Sequence, residues 1–233
     1  MEPVYRACEV VARTIFRVQG LQFTMTGVQH IPRAGGAVSA INHTAYTDPF
    51  YASLAARRGK RWLRFLTKVE VFNHPVGGFV ARQARQIPVD RLHGTQAYDL
   101  AVQALHDGEL LGVYPEATIS RSFELKTFKL GAARMALQAQ VPLVLMIIWG
   151  AQRVWTKGGP RRLGRSRIPI TVAVGEPLAP AGSAHELTTV LHAQMDALLH
   201  AGQDGYGHHP PGAFGVPHRL GGGAPSLLQA EML

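Results

Sequence analysis

One residue of 233 is a cysteine, Cys8. A single thiol excludes an internal disulfide framework and any zinc site needing two or four cysteines, and it fits a reducing compartment. Charge is sparse: charged residues make up 17% of the chain, below the usual share of about 25%. Acids are the scarcer sign, since 24 Lys and Arg less 15 Asp and Glu leave +9. With an apolar share of 46%, this balance excludes a disordered chain. The basic surplus calls for an anionic partner, whether nucleic acid, acidic lipid or a phosphorylated small molecule. Aromatics are few and no RNA- or DNA-binding motif occurs, so nucleic acid is not the expected partner. Long apolar runs are missing as well. The longest, Val141 to Ala151, is interrupted by Pro142 and Gly150 and falls short of the ~18–20 residues that span a bilayer. The start, Met1-Glu2-Pro3, has an acid where a signal peptide has its basic region, and Arg13 and Arg17 break the apolar stretch that follows. Neither a signal peptide nor a transmembrane helix is expected.

What is present reads as one domain with appendages. Val4, Cys8, Val11, Ile15 and Val18 recur at helical spacing over residues 3–18, with Arg6, Arg13 and Arg17 off the stripe. That stripe suits either packing on the core or an anionic lipid surface, or both if it is shared. Strands are expected at Phe23–Thr26, Ala37–Ile41, Trp62–Thr67, Gln86–Val89, Leu110–Tyr114, Leu143–Trp149 and Ile168–Val174. Helices are expected at Pro49–Arg58, Val76–Arg85, Thr95–His106 with Gly108 closing it, Lys126–Gln138 and Ala184–His200. This alternation predicts an α/β fold, a mixed central sheet with helices on both faces. The domain plan is an N-terminal amphipathic helix (1–20), the α/β body (21–201) and a Gly/Pro/His-rich C-terminal tail (202–233), flexible unless something docks it.

The chemistry concentrates at the ends of apolar strands, where ligands bind in open α/β sheets. Asn42-His43 follows one strand, and Asp48 stands five residues after His43 and just before Pro49. Pro49 is a good helix start, which makes Asp48 a natural N-cap. A loop of this length can also fold the carboxylate onto the imidazole, leaving the other ring nitrogen as a general base. The spacing alone favours a buried histidine and a capping aspartate that never meet; the blocks elsewhere in the chain shift the balance. Lys68, Arg91 and Glu116 each follow or end another extended segment, and Thr118, Arg121 and Lys126 come shortly after Glu116.

These blocks, in this order, resemble the glycerolipid acyltransferase family typified by 1-acylglycerol-3-phosphate acyltransferases. Asn42-His43 through Asp48 matches its NHxxxxD box, and Ile87 through Arg91 its arginine block. Pro115-Glu116-Ala117-Thr118 matches a Pro-Glu-Gly-Thr box with alanine for glycine, and Val141-Pro142-Leu143-Val144 its Val-Pro strand. The family's second proline is absent from that strand, and Ile119 and Ser120 separate Arg121 from the third block. The resemblance covers about residues 20–180. It implies transfer of a fatty acyl group from an acyl thioester to a hydroxyl of a lysophospholipid or glycerol-phosphate acceptor. His43 would be the base and Asp48 its partner. Lys68, Arg91 and Arg121 would face an acceptor phosphate, and Glu116 and Thr118 would line the acceptor site. No metal and no cofactor is implied beyond acyl-CoA or acyl carrier protein as donor substrate. The expected partners are that donor, a lysophospholipid and an anionic membrane surface, with the chain peripheral on the cytoplasmic side. A catalytically silent lipid-binding protein of the same fold is the competing expectation.

Two other patterns complete the reading. Gly159 to Ser166 imitates a phosphate-binding Walker loop but carries Pro160 and no lysine, so nucleotide hydrolysis is not expected. Residues 57–61 and 153–167 are dense in Arg and Lys and suit headgroup or coenzyme A phosphates.

Overall fold

The computed structural model describes residues 2–89 and 94–232. In chain order these form α1 (Pro3–Gln19), β1 (Gln22–Thr26), β2 (Ala37–Ile41), α2 (Asp48–Arg58), β3 (Leu63–Lys68), α3 (Val69–Asn73), α4 (Pro75–Gln83) and β4 (Ile87–Val89). Then come α5 (Gly94–His106), β5 (Leu110–Val113), α6 (Gly131–Ala139), β6 (Leu143–Trp149), β7 (Pro169–Val174), α7 (Ala184–Asp204) and α8 (Leu227–Glu231). The strands make one mixed sheet of seven in the order β1-β7-β6-β2-β5-β3-β4. From β6 to β4 all neighbours are parallel; β7 runs antiparallel to β6, and β1 is parallel to β7. The carboxyl ends of β2, β3, β4, β5 and β6 therefore share one edge.

The β6 sequence shows why helices cover both faces. A strand with no polar side to offer must be buried twice, and its seven side chains are at most 1% exposed. Leu143, Leu145, Ile147 and Trp149 pack with Val38, Ala40 and Leu111 beneath α5, α6 and α7. The alternate residues Val144, Met146 and Ile148 pack with Ala37, Ile41 and Leu110 beneath α1 and α2. Each such side chain contributes roughly 1.5–3 kcal/mol on burial.

Helix α1 buries Tyr5, Phe16 and Gln19, with Ala12 partly covered, and leaves Val11 (58%), Ile15 (49%) and Val18 (70%) exposed. The stripe read from spacing thus lies one residue round from the face that packs. Both faces are apolar enough to compete, and the two aromatics, with the larger area to bury, take the core. A buried ion network fixes the start of the helix: Arg64, 1% exposed, donates to the carboxylates of Glu2 and Glu109. Between β3 and β4 the structure adds α3, and His74 Nδ1 accepts the Gly77 amide to begin α4.

Helix α6 starts at Gly131, five residues later than the periodicity predicts. Residues before it are held elsewhere: the Lys126 amide bonds Glu116 Oε2 (3.1 Å) and the Lys129 amide bonds the Pro115 carbonyl (2.8 Å). The glycine- and proline-rich segment after α7 docks on its own chain, so the condition attached to its order is met internally. Val216 and Ala224 are buried, Gln152 Nε2 donates to the Gly215 carbonyl (3.1 Å), and Phe214 packs edge-on against Phe123. Backbone bonds from Gly212 to Gly221 and from Gly223 to Ala213 close it into a compact loop, supplying the contacts its composition does not advertise.

Candidate active site

The loop after β2 is fixed before it does any chemistry. Asn42 is buried, and its side chain donates to the Ile148 carbonyl (3.0 Å) and accepts the Ile148 amide (2.7 Å). Thr156 Oγ1 donates to the Thr44 carbonyl (2.6 Å). Next along the chain, the His43 amide donates to Glu116 Oε1 (2.8 Å), and the His43 carbonyl accepts the Ser120 amide (2.7 Å).

His43 and Asp48 meet. Asp48 Oδ2 lies 3.0 Å from His43 Nδ1 and also accepts the amides of Thr44 and Ala45, both at 2.8 Å. The residue opens α2 and turns its carboxylate backward onto the loop, where a capping aspartate would turn it toward the helix amides. Burial pushes the Asp48 carboxyl up, opposed by His43 and by those two amides. With Nδ1 donating to a carboxylate, the neutral ring presents a lone pair at Nε2. Nε2 has no hydrogen-bond partner among the described residues, and the His43 side chain is 18% exposed. Tyr114 stacks on the imidazole at 4.1 Å and Phe65 stacks on Tyr114 at 5.8 Å. Spacing had not marked either ring; the signal available was only that both precede the loops at strand ends.

Glu116 is 3% exposed, and both its oxygens are taken by backbone amides, those of His43 and Lys126. The structure places it beneath the loop, holding His43, with its carboxylate lining neither of the cavities described below. Burial pushes its carboxyl from an ordinary 4.5 up to about 8, against the pull of the two amides and Lys126 and with the push of Asp48. The folded chain therefore keeps a proton that the unfolded chain releases. Stability from this group is full below about 4.5 and is lost as pH rises through about 8. Glu116→Gln should then show a smaller fall in Tm between about pH 5 and 9 than the parent. Equal falls in thermal scans of the two proteins would assign the slope to other groups.

Ala117 adopts φ +61°, the left-handed conformation that the glycine of the family box would take freely. The loop keeps the glycine geometry at a cost of about 1 kcal/mol. Thr118 is exposed and accepts Lys126 Nζ at 2.8 Å. Thr118, Arg121 and Lys126 line one polar pocket of about 230 Å³. Lys68 ends β3 on the same sheet edge, but it lines neither that pocket nor the groove described next. Arg91 lies outside the described residues. Among the described residues no group of three or more His, Cys, Asp or Glu is gathered as for a metal.

An apolar groove of about 620 Å³ runs between α1, α2, the end of β3 and α4, and reaches Tyr114, the ring stacked on His43. Phe16, Phe50, Phe65 and Val80 are among its walls. The Acyltransferase family model matches residues 22–149, more than half of the chain and all of this site from Asn42 to Lys126. The chain belongs to the Acyltransferase family. The family resemblance of the ordered blocks is thereby borne out. Among curated proteins the chain is similar to the 1-acyl-sn-glycerol-3-phosphate acyltransferase of Limnanthes douglasii, 29% identical over 173 residues. That match covers 72% of this chain and 59% of the relative. It is also similar to the protein of the same name from Borreliella burgdorferi, 24% identical over 143 residues, covering 59% of this chain and 55% of that protein. The chain thus spans between 42% and 59% of the length of the curated relatives it matches. In fold, it is similar to the 1-acyl-sn-glycerophosphate (LPA) acyltransferase PlsC of Thermotoga maritima. The TM-score is 0.65, with 19% identity, over 88% of this chain and 84% of that one.

In the basic stretch 57–61 of this family member, Arg57 and Arg61 are spent inside the fold while Arg58 and Lys60 stay exposed. Arg61 donates to the carbonyls of Pro32, Gly35 and Gly108, while Arg57 pairs with Glu9 and stacks on Trp62. In 153–167, Arg153 stacks on Tyr206 and Arg161 on Trp155, while Lys157, Arg162, Arg165 and Arg167 stay exposed.

Proposed function

We propose that this chain is an O-acyltransferase that moves a fatty acyl group from an acyl thioester to a hydroxyl of a lysophospholipid, with 1-acylglycerol-3-phosphate as the acceptor. The observation that carries this reading is the His43–Asp48 pair at 3.0 Å, with Nε2 unpartnered among the described residues and Tyr114, stacked on the ring, lining an apolar groove. A thioester is already activated, so the step left to the protein is removal of the acceptor proton. His43 Nε2 takes that proton as the hydroxyl oxygen bonds the acyl carbon, and the carbon–sulfur bond breaks as the proton passes to the departing thiolate. Asp48 holds the ring in the correct tautomer and stabilises the imidazolium between the two transfers. The chain has no Gly-x-Ser-x-Gly elbow, in keeping with direct transfer. Glu116 is a positioning residue for His43. The groove receives an acyl chain, and Thr118, Arg121 and Lys126 receive the acceptor phosphate, with Arg91 and Lys68 contributing as the family resemblance implies. The glycine-like conformation of Ala117 removes the main sequence argument for a catalytically silent protein. Incubation of the purified chain with radiolabelled acyl-CoA or acyl carrier protein and a panel of lysophospholipids tests the proposal. Labelled diacyl product is expected with the phosphomonoester acceptor; no transfer from either donor to any acceptor would leave a lipid-binding protein.

No helix among the described residues is long and apolar enough to cross a membrane. The exposed stripe Val11, Ile15 and Val18, with Arg6, Arg13 and Arg17 beside it, suits insertion at an anionic headgroup layer. Phe50, which lines the groove, and Val76 and Phe79 on α4 are exposed apolar side chains as well. Replacing Val11, Ile15 and Val18 together by serine should lower binding to anionic vesicles by about tenfold or more. Binding of the parent should weaken steeply as salt rises. Sedimentation unchanged by both the substitutions and salt would place the lipid contact elsewhere.

A further inference from the structure

The polar pocket beside the Glu116–Thr118 box has a wall that none of the family blocks supplies. Its volume is about 230 Å³, and its walls are Thr118, Ile119, Arg121, Lys126 and Lys157 on one side and Leu227, Ala230 and Glu231 of α8 on the other. Three of these are cations and one is an acid. The basic side is organised: Lys126 Nζ bonds Thr118 Oγ1 at 2.8 Å, and the Lys126 amide is held by the same carboxylate that holds His43. Lys157 comes from the stretch after β6, far from the box in sequence. The opposite wall is equally built. The segment after α7 is pinned by Val216, Ala224 and Gln152, and Arg219 lies 3.6 Å from Glu124 in the loop that follows the box. Reciprocal bonds between Ser226 and Gln229 then set where α8 begins.

We infer that α8 is the closing wall of the acceptor's phosphate subsite, with Lys157 as an additional phosphate ligand and Glu231 as the residue that tunes its charge. The inference rests on the proposed acyl transfer to a phosphorylated acceptor, and it adds a specificity element carried by the segment after the α/β body. Three cations and a single carboxylate keep a net attraction for one phosphomonoester, which the volume of about 230 Å³ accommodates. The α8 backbone limits how far a larger headgroup on that phosphate can extend. Glu231 opposes the incoming anion, so the pocket stays reversible for a charged substrate and product.

Binding of inorganic phosphate and of glycerol 3-phosphate to the full chain, followed by titration calorimetry, tests the assignment. Lys157 and Glu231 are exposed, so changing them should leave the fold intact, which circular dichroism verifies. Lys157→Ala should weaken both ligands about two- to fivefold, and Glu231→Gln should tighten both by a similar factor, the size of one exposed charge pair. Ala230→Phe should abolish glycerol 3-phosphate binding by filling the pocket. If Lys157→Ala weakens binding while Glu231→Gln and Ala230→Phe change nothing, the phosphate subsite stands and α8 is not its wall. Binding unaffected by all three substitutions would remove the phosphate from this pocket and with it the acceptor assignment. Displacement of bound phosphate by coenzyme A, with none by glycerol 3-phosphate, would give the pocket to the donor and overturn the proposal.

Discussion

His43→Ala is expected to reduce acyl transfer by about 10²–10⁴-fold while the fold persists, because a positioned base contributes on that order. The side chain is partly exposed and its backbone bonds to Glu116 and Ser120 do not involve the ring. Loss of the imidazole therefore removes chemistry more than support. Asp48→Asn separates two roles of the carboxylate. The amide oxygen can still accept from the Thr44 and Ala45 amides, but it cannot carry the charge that stabilises an imidazolium. A loss of at least about a hundredfold in kcat, with little change in Tm, is the expected signature. Turnover near the parent value in a folded His43→Ala protein would end the general-base mechanism. An Asp48→Asn protein that loses stability and activity in parallel would make Asp48 a structural residue only.

The second large effect falls on stability, and it belongs to the residue before the histidine. Asn42 closes a two-bond ring with the Ile148 amide and carbonyl, fully buried between β2 and β6. Asn42→Ala leaves both Ile148 groups without partners, and a buried unsatisfied group costs roughly 1–3 kcal/mol. The expected loss is about 2–4 kcal/mol, a fall in Tm of roughly 5–15 °C for a chain of this size. Asn42→Asp should not rescue it, since a carboxylate would face the Ile148 carbonyl. Thermal unfolding reads both variants. A drop of less than about 2 °C in Asn42→Ala would show that water or a rearranged loop satisfies the strand. The asparagine that opens the motif is thus an anchor for the loop, with the chemistry at the next position.

Much of this was legible beforehand because local patterns carried it. The strand cores show in apolar or β-branched runs, and an unbroken run such as Leu143–Trp149 announces burial on both faces. Glycine at position 108 ends α5 where the pattern places it, at φ +85°. The pairing of His43 with Asp48 was readable only as one of two possibilities. Spacing limits where a carboxylate can reach, but three N–H donors decide where it settles.

The remaining decisions belonged to contacts between distant segments, which no local pattern encodes. The two aromatics of α1 won the core over the more regular aliphatic stripe, leaving that stripe exposed. Glu116 was readable as an acid in a known box, yet what it holds is the amide of His43, supplied by the loop that follows another strand of the sheet. Arg57 and Arg61 read as part of a basic face and were drawn inward by Glu9 and by three carbonyls. The segment after α7 lacks the composition to order itself, and it is ordered by the surface it meets. The sequence by itself determined the elements and the chemical groups at their ends, because periodicity and residue type act over a few residues. Tertiary structure alone decided which strand ends became neighbours, which faces were spent on packing and which charges stayed free, because burial and pairing depend on what lies across the gap.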